Sequence, residues 1–114
     1  TDFYGNIPVV RITEMYLTRA ESNLRLGTAV GATPASDINL LRVRAGLLPN
    51  LAPTINDVLL EREKELDYEG FRLHDYKRTK RSLGTFAYND PKLVFPIPDR
   101  EISANPSLIQ NPGY

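Results

Sequence analysis

Glu65 and Glu69 stand one helical turn apart in the run EREKELDYEGFRLHDYKRTKR, Glu61 to Arg81, with His74 and Asp75 downstream. Carboxylates at that spacing share a helix face. Such a set could serve general acid–base catalysis or chelate a metal together with the histidine. The pattern argues for ion pairing instead. Gly70 breaks the helix ahead of His74, and the order of residues matches neither H-E-x-x-H nor the Glu-x-x-His of di-metal bundles. A glycosidase pair faces across a cleft of ~5–9 Å, whereas adjacent turns of one helix enclose no cleft. Arg19, Arg42, Arg44, Arg72 and Arg78 also offer more positive charge than a general acid tolerates. His74, with no serine or cysteine nucleophile motif nearby, reads as a packing or surface residue. The basic run Lys77 to Arg81 suits a helix C-terminus, where cations favour the dipole. The seven glycines sit singly, so there is no phosphate-cradling loop.

Composition narrows the classes further. A chain of 114 residues is expected to form one domain. Fourteen basic residues balance fourteen acidic ones, which argues against nucleic acid as a partner. There is no cysteine, which rules out disulfides, zinc–thiolate sites, iron–sulfur clusters and cysteine nucleophiles within it. We therefore expect no cofactor, no catalytic metal and no catalytic residues. No apolar run approaches the ~20 residues of a membrane span. The chain begins at Thr1 rather than at a methionine, which is compatible with processing upstream.

The elements that must position these residues are helical. Pro8 suits a first helical turn, and the stretch Val10 to Leu26 carries no Gly or Pro before Gly27 stops it. On this first helix Arg11, Glu14, Thr18, Glu21, Ser22 and Arg25 form a polar side. Val10, Ile12, Met15, Tyr16, Leu17, Ala20, Leu24 and Leu26 spread over most of the rest, so the helix needs neighbours on more than one side. Thr33 and Pro34 open a second helix, running to Ala45, with Ile38, Leu41, Ala45 and Leu48 in line and Gly46 as stop. The two form a helical hairpin. Thr54 caps a third helix, with Asp57 completing a capping box. That helix is expected to run to Tyr68 or Glu69, and Gly70 to end it. Its apolar face is Ile55, Val58, Leu59 and Leu66, with Arg62, Glu65 and Glu69 on or beside that face and Glu63, Lys64 and Asp67 in solvent. Inward charges must be paired, so Arg62, Glu65 and Glu69 are expected to be buried and ion-paired. A short helix follows, from Arg72 to Lys80.

Beyond residue 90 the chain is proline-rich. DREIS has room for a turn or two with Asp99 as cap. The rest reads as extended segments and turns, with Asn105–Pro106 and Asn111–Pro112 as turn signals. Leu93, Val94, Phe95, Ile97, Ile102, Leu108 and Ile109 argue against disorder. We expect an ordered strap laid across the helices, its end pinned by Leu108 and Ile109.

The segments IPVVRITEMYLTRAES, INLLRVRAGL, LLEREKELDYEGFRLHDYKR and FPIPDREISANPSLIQNPGY together resemble the C-terminal region of the SusD/RagB family. The resemblance spans Ile7 to Tyr114 in the family's order. One departure is Leu73–His74, where the family commonly has an aromatic pair. The resemblance implies an all-α fold with tetratricopeptide-like helix pairs, and residues 1–114 as the C-terminal piece of a longer protein. It implies a non-enzymatic outer-membrane lipoprotein that binds glycans or other nutrients at the cell surface, working with a SusC-like TonB-dependent transporter. No binding residue carries over, because the family's glycan contacts come mainly from upstream. Tyr88, in the loop GTFAYNDP, is the aromatic best placed for a ligand or partner, although an anchor for the strap is the plainer role. The rival classes are a tetratricopeptide-like interaction scaffold and a hydrolase built on Glu65 and Glu69. The apolar width of the first helix further suggests a homodimer, or a companion chain covering Ile12, Met15 and Tyr16.

Overall fold

A computed structural model of the chain describes residues 9–114. The expected role of Pro8 lies outside the described residues. All regular elements among them are helical: α1 (Ile12–Leu26), α2 (Pro34–Arg44), α3 (Ile55–Glu65), α4 (Phe71–Arg78), a 3-10 turn (Pro91–Leu93) and α5 (Asp99–Ala104). An isolated antiparallel bridge joins Leu83 and Phe86. The chain divides into two compact units, the first ending at Phe71 and the second running from Arg72 to Tyr114.

The first unit is built on α1, which packs against both α2 and α3. Its core is Leu17, Ala20, Ile38, Leu41 and Val58, with Tyr16 and Leu24 partly buried against it. Helix α1 thus has neighbours on more than one side, as expected, yet its buried side is narrower than its apolar side. Ile12, Met15 and Leu26 remain exposed, whereas Thr13, Glu21 and Asn23 are buried. Glu21, expected on the polar face, leaves water because Arg25 one turn on neutralises it at 2.7 Å.

Local signals set the helix ends. Gly27 takes a left-handed φ of 64°, and the Thr28 N–H closes on the Asn23 carbonyl. Thr33 accepts a hydrogen bond from the Ser36 N–H at the start of α2. At its end the Gly46 N–H bonds the Val43 carbonyl and the Leu47 N–H bonds that of Arg42, a Schellman closure. Leu48, expected in line with the buried side of α2, lies past this reversal and is exposed. Thr54 and Asp57 form the capping box expected for α3.

Helix α3 stops at Glu65, a turn earlier than its pattern predicts, so it is no longer than α2. Asp67 turns its carboxylate onto the Tyr68 N–H at 3.1 Å, which takes that donor away from the helix ladder. Tyr68 then adopts a φ of 62°, and a further turn closes from the Glu69 N–H to the Leu66 carbonyl.

In the second unit the proline-rich tail is an ordered, self-closed loop. The Gln110 side chain accepts from the Ile97 N–H and donates to the Ile97 carbonyl, at 2.8 and 2.9 Å. Asn111 donates to the Phe95 carbonyl and the Tyr114 hydroxyl to that of Val94. Leu108 and Ile109, expected to pin the end, are exposed, and polar side chains on backbone groups fasten it instead. Asp99 is the first residue of α5 rather than its cap, which is Pro98.

Candidate functional site

The charged stretch resolves into ion pairs around the open ends of α1, α2 and α3. Arg11, immediately before α1, reaches the Glu65 carboxylate at 2.8 Å and also bonds Glu69. One of its nitrogens lies 3.4 Å from the Glu65 carbonyl, so this guanidinium also covers a free backbone acceptor at the end of α3. Arg44, at the end of α2, donates to the same Glu65 oxygen at 2.6 Å. Arg42 pairs with Glu61 and caps the Leu48 carbonyl at 2.9 Å. Arg62 is buried, donates to the Thr18 hydroxyl at 3.2 Å, and lies over the Phe71 ring.

The expected trio thus fares unevenly. Arg62 is buried, Glu65 is partly so, and Glu69 is exposed in its turn, although both glutamates are paired. Glu69 leaves the helix face because α3 ends before it. Glu61, which the sequence reading places on neither face, is the buried glutamate of the helix. Of the partners expected for the trio, Arg44 serves Glu65. Arg11 does more, despite its place on the polar side of α1, because it stands at the helix end where the chain faces the terminus of α3. The i, i+4 recurrence Glu61, Glu65, Glu69 was the available signal, read against arginines near helix termini.

Arg19 serves a different acid. Its Nε and Nη2 grip both oxygens of Asp37, at 2.9 and 2.6 Å, and Asp37 has no exposed surface. This fork on a carboxylate, principally through hydrogen bonding, raises the Arg19 pKa above its ordinary value. Beneath it Gly31 has a φ of 77°, and a side chain there would meet the Arg19 guanidinium at 2.9 Å. Asn23 completes the hairpin loop. Its amide donates to the Val30 and Ala32 carbonyls, and its oxygen accepts from the Thr28 hydroxyl and the Val30 N–H. All four of its bonding positions are used.

In the second unit Asp75 is buried and held by Arg78 at 2.7 Å. Tyr76 is flanked by the guanidiniums of Arg72 and Arg81, 5.6 and 4.4 Å from its ring centre. His74 is exposed and lines a groove of about 700 Å³ with Leu73, Lys77, Arg78, Leu93, Val94 and Phe95. Tyr88 is half-buried in its loop. Among the described residues no three histidine, aspartate or glutamate side chains converge as metal ligands would. The arrangement around Glu65 and Glu69 crosslinks helix ends, and Glu69 lines a pocket of about 420 Å³ with Val9, Arg11, Glu14 and Phe71, without Glu65.

Comparison with known proteins bears on this geometry. The family described as SusD family matches residues 4–94. The starch-binding protein SusD of Bacteroides thetaiotaomicron is 32% identical over 123 aligned residues, which is 96% of this chain and 22% of that protein. A SusD superfamily protein from Parabacteroides distasonis superposes with a TM-score of 0.76 at 29% identity, over 93% of this chain and 27% of that one. Surface glycan-binding protein A from Bacteroides uniformis gives a TM-score of 0.71 at 28% identity, over 89% and 26%. The chain therefore spans about a quarter of the length of each of these relatives.

Proposed function

We propose, given that this chain belongs to the SusD family, that it is the C-terminal segment of a non-catalytic protein that captures glycans. The observation carrying this reading is the near-complete alignment with a starch-binding relative, together with the likeness to a surface glycan-binding protein. The charge pattern supports it, since Glu65 and Glu69, the residues with the best case for chemistry, are both engaged by Arg11. By the resemblance, the longer protein sits on the outer membrane through a lipid anchor outside this chain and hands its ligand to a SusC-like TonB-dependent transporter. No described helix is long and apolar enough to cross a membrane, which suits a surface-held segment.

The test is calorimetric titration of the longer protein with starch oligosaccharides and a panel of other glycans. Saturable binding to one class is the expected result. Silence across the panel, with capture of a peptide ligand instead, would favour the helical-hairpin scaffold over the glycan-binding protein.

A further inference from the structure

We propose that the second unit carries a sugar-binding subsite of its own, with one sugar ring lying on Phe95 and the hydroxyls of the next held by Lys77, Asn89, Asp90 and Asn111. The inference rests on reading the chain as part of a glycan-capturing protein. Two hollows adjoin here. One is the groove that holds Phe95, whose volume of about 700 Å³ is that of a small-ligand site. The other is a pocket of about 230 Å³ whose polar lining is Lys77, Asn89, Asp90 and Asn111. Lys77 and Val94 line both, so the two form one strip. The polar groups have bonding capacity to spare. Lys77 is half-buried, yet its ammonium has no charge partner among the described residues. Asn111 spends one amide hydrogen on the Phe95 carbonyl at 2.7 Å and keeps its side-chain oxygen. Asp90 accepts the Lys92 N–H on one oxygen at 2.9 Å and keeps the other. Donors and acceptors thus share one hollow, which suits hydroxyls, since each both donates and accepts.

Phe95 supplies the stacking half of the subsite. Its side chain is 91% exposed, on a backbone held by Asn111 and, one residue earlier, by Tyr114. The C–H face of a sugar ring is apolar and weakly positive, which matches the negative face of an aromatic ring. Asn111 belongs to the pocket and also holds the Phe95 backbone, so platform and pocket are spaced before a ligand arrives. That spares the cost of ordering them on binding. Gly113, at a φ of 95°, lets the tail close on Pro91 at the pocket wall, where an added Cβ would lie 3.1 Å from the Pro91 Cβ. His74 and Arg78 line the groove as well, and their N–H groups can donate to the same ligand. A polypeptide fits this strip less well. A bound strand needs a sheet edge and a bound helix needs an apolar groove. The described residues include no strand element, and the strip ends in an ammonium, a carboxylate and two amides.

The test places 4-fluorophenylalanine at position 95 of the longer protein. The fluorine resonance is followed as maltohexaose, cellohexaose, xylohexaose or mannohexaose is added, together with any panel glycan that calorimetry shows to bind. A saturable shift with at least one sugar is expected. Lys77→Ala and Asn89→Ala, which break no hydrogen bond or ion pair among the described residues, should each weaken that titration about tenfold. Arg100→Ala, on α5 and outside both hollows, should leave it unchanged. A silent fluorine with every sugar that binds in calorimetry overturns the inference and leaves the proposed function standing. A shift indifferent to both Lys77→Ala and Asn89→Ala does the same. A shift with hexaproline or hexaglutamate and with no sugar overturns it in favour of a peptide seat. Calorimetry silent for every glycan removes the proposed function, and this subsite with it.

Discussion

Asp37 is fully buried, and Arg19, its charge partner among the described residues, holds it by a two-pronged grip. An asparagine would keep one acceptor oxygen for Arg19 and turn an N–H donor toward the other guanidinium N–H, leaving buried donors without an acceptor. Asp37→Asn should therefore lower stability by about 2–3 kcal/mol in urea unfolding. Arg19→Lys should not restore it, since a lysine cannot fork. Glu65 is different. Its arginines, Arg11 and Arg44, are 39% and 55% exposed, so solvent screens the pairs. Glu65→Ala should cost only about 1 kcal/mol by the same measurement, well under the loss expected for a fully buried pair. Asp57 carries a pH signature. The Thr54 backbone N–H, and then the Thr54 hydroxyl, hold its pKa below the usual aspartate value. A lowered folded-state pKa gives stability that is present above the ordinary value of about 4 and is lost as pH falls through the folded value. Unfolding midpoints from pH 7 down to pH 2 should show an acid loss that Asp57→Asn flattens.

At the scale of elements, caps and turns decide more than propensity. The self-closed tail depends on one glutamine that answers both backbone groups of Ile97, which leaves no need for a strand partner. Gln110→Ala should raise amide exchange at Ile97 at least tenfold, while exchange in the middle of α1 stays unchanged. Equal protection in the variant would mean that another group holds that backbone. The early end of α3 belongs to this scale as well. Had the helix continued, Glu69 would have stayed on its face. The turn at Tyr68 instead lets one arginine gather two carboxylates at the helix terminus.

For the whole molecule the balance of apolar surface matters most. Ile12, Val43, Leu48 and Leu51 are all more than half exposed in the first unit, as is Phe95 in the second. Contiguous exposed apolar patches mark contact surfaces or association liabilities. The isolated 114-residue chain should bind an apolar dye and self-associate with rising concentration in light scattering. Ile12→Ser combined with Leu48→Ser should reduce both signals. A monomeric, dye-silent chain at high concentration would mean that its exposed side chains are too scattered to form a patch.

The sequence alone determined the helical class, four of the five α-helices among the described residues, the caps at Thr33, Gly46 and Thr54, and the family. These rest on short-range chemistry: a hydroxyl three residues from an amide, a glycine where φ must be positive, apolar residues at helical spacing. The ion-paired character of the charged stretch was legible for the same reason, since inward carboxylates demand nearby arginines. Only the tertiary structure decided which arginine meets which acid. Arg11 lies far from Glu65 in sequence, and helical periodicity cannot tell which helix end comes to lie beside which. Nor could periodicity show that Glu61 and Glu21 are buried while Ile12 and Leu48 are exposed. Burial depends on where neighbouring helices stop, and that is set by packing between elements rather than by the residues of any one of them.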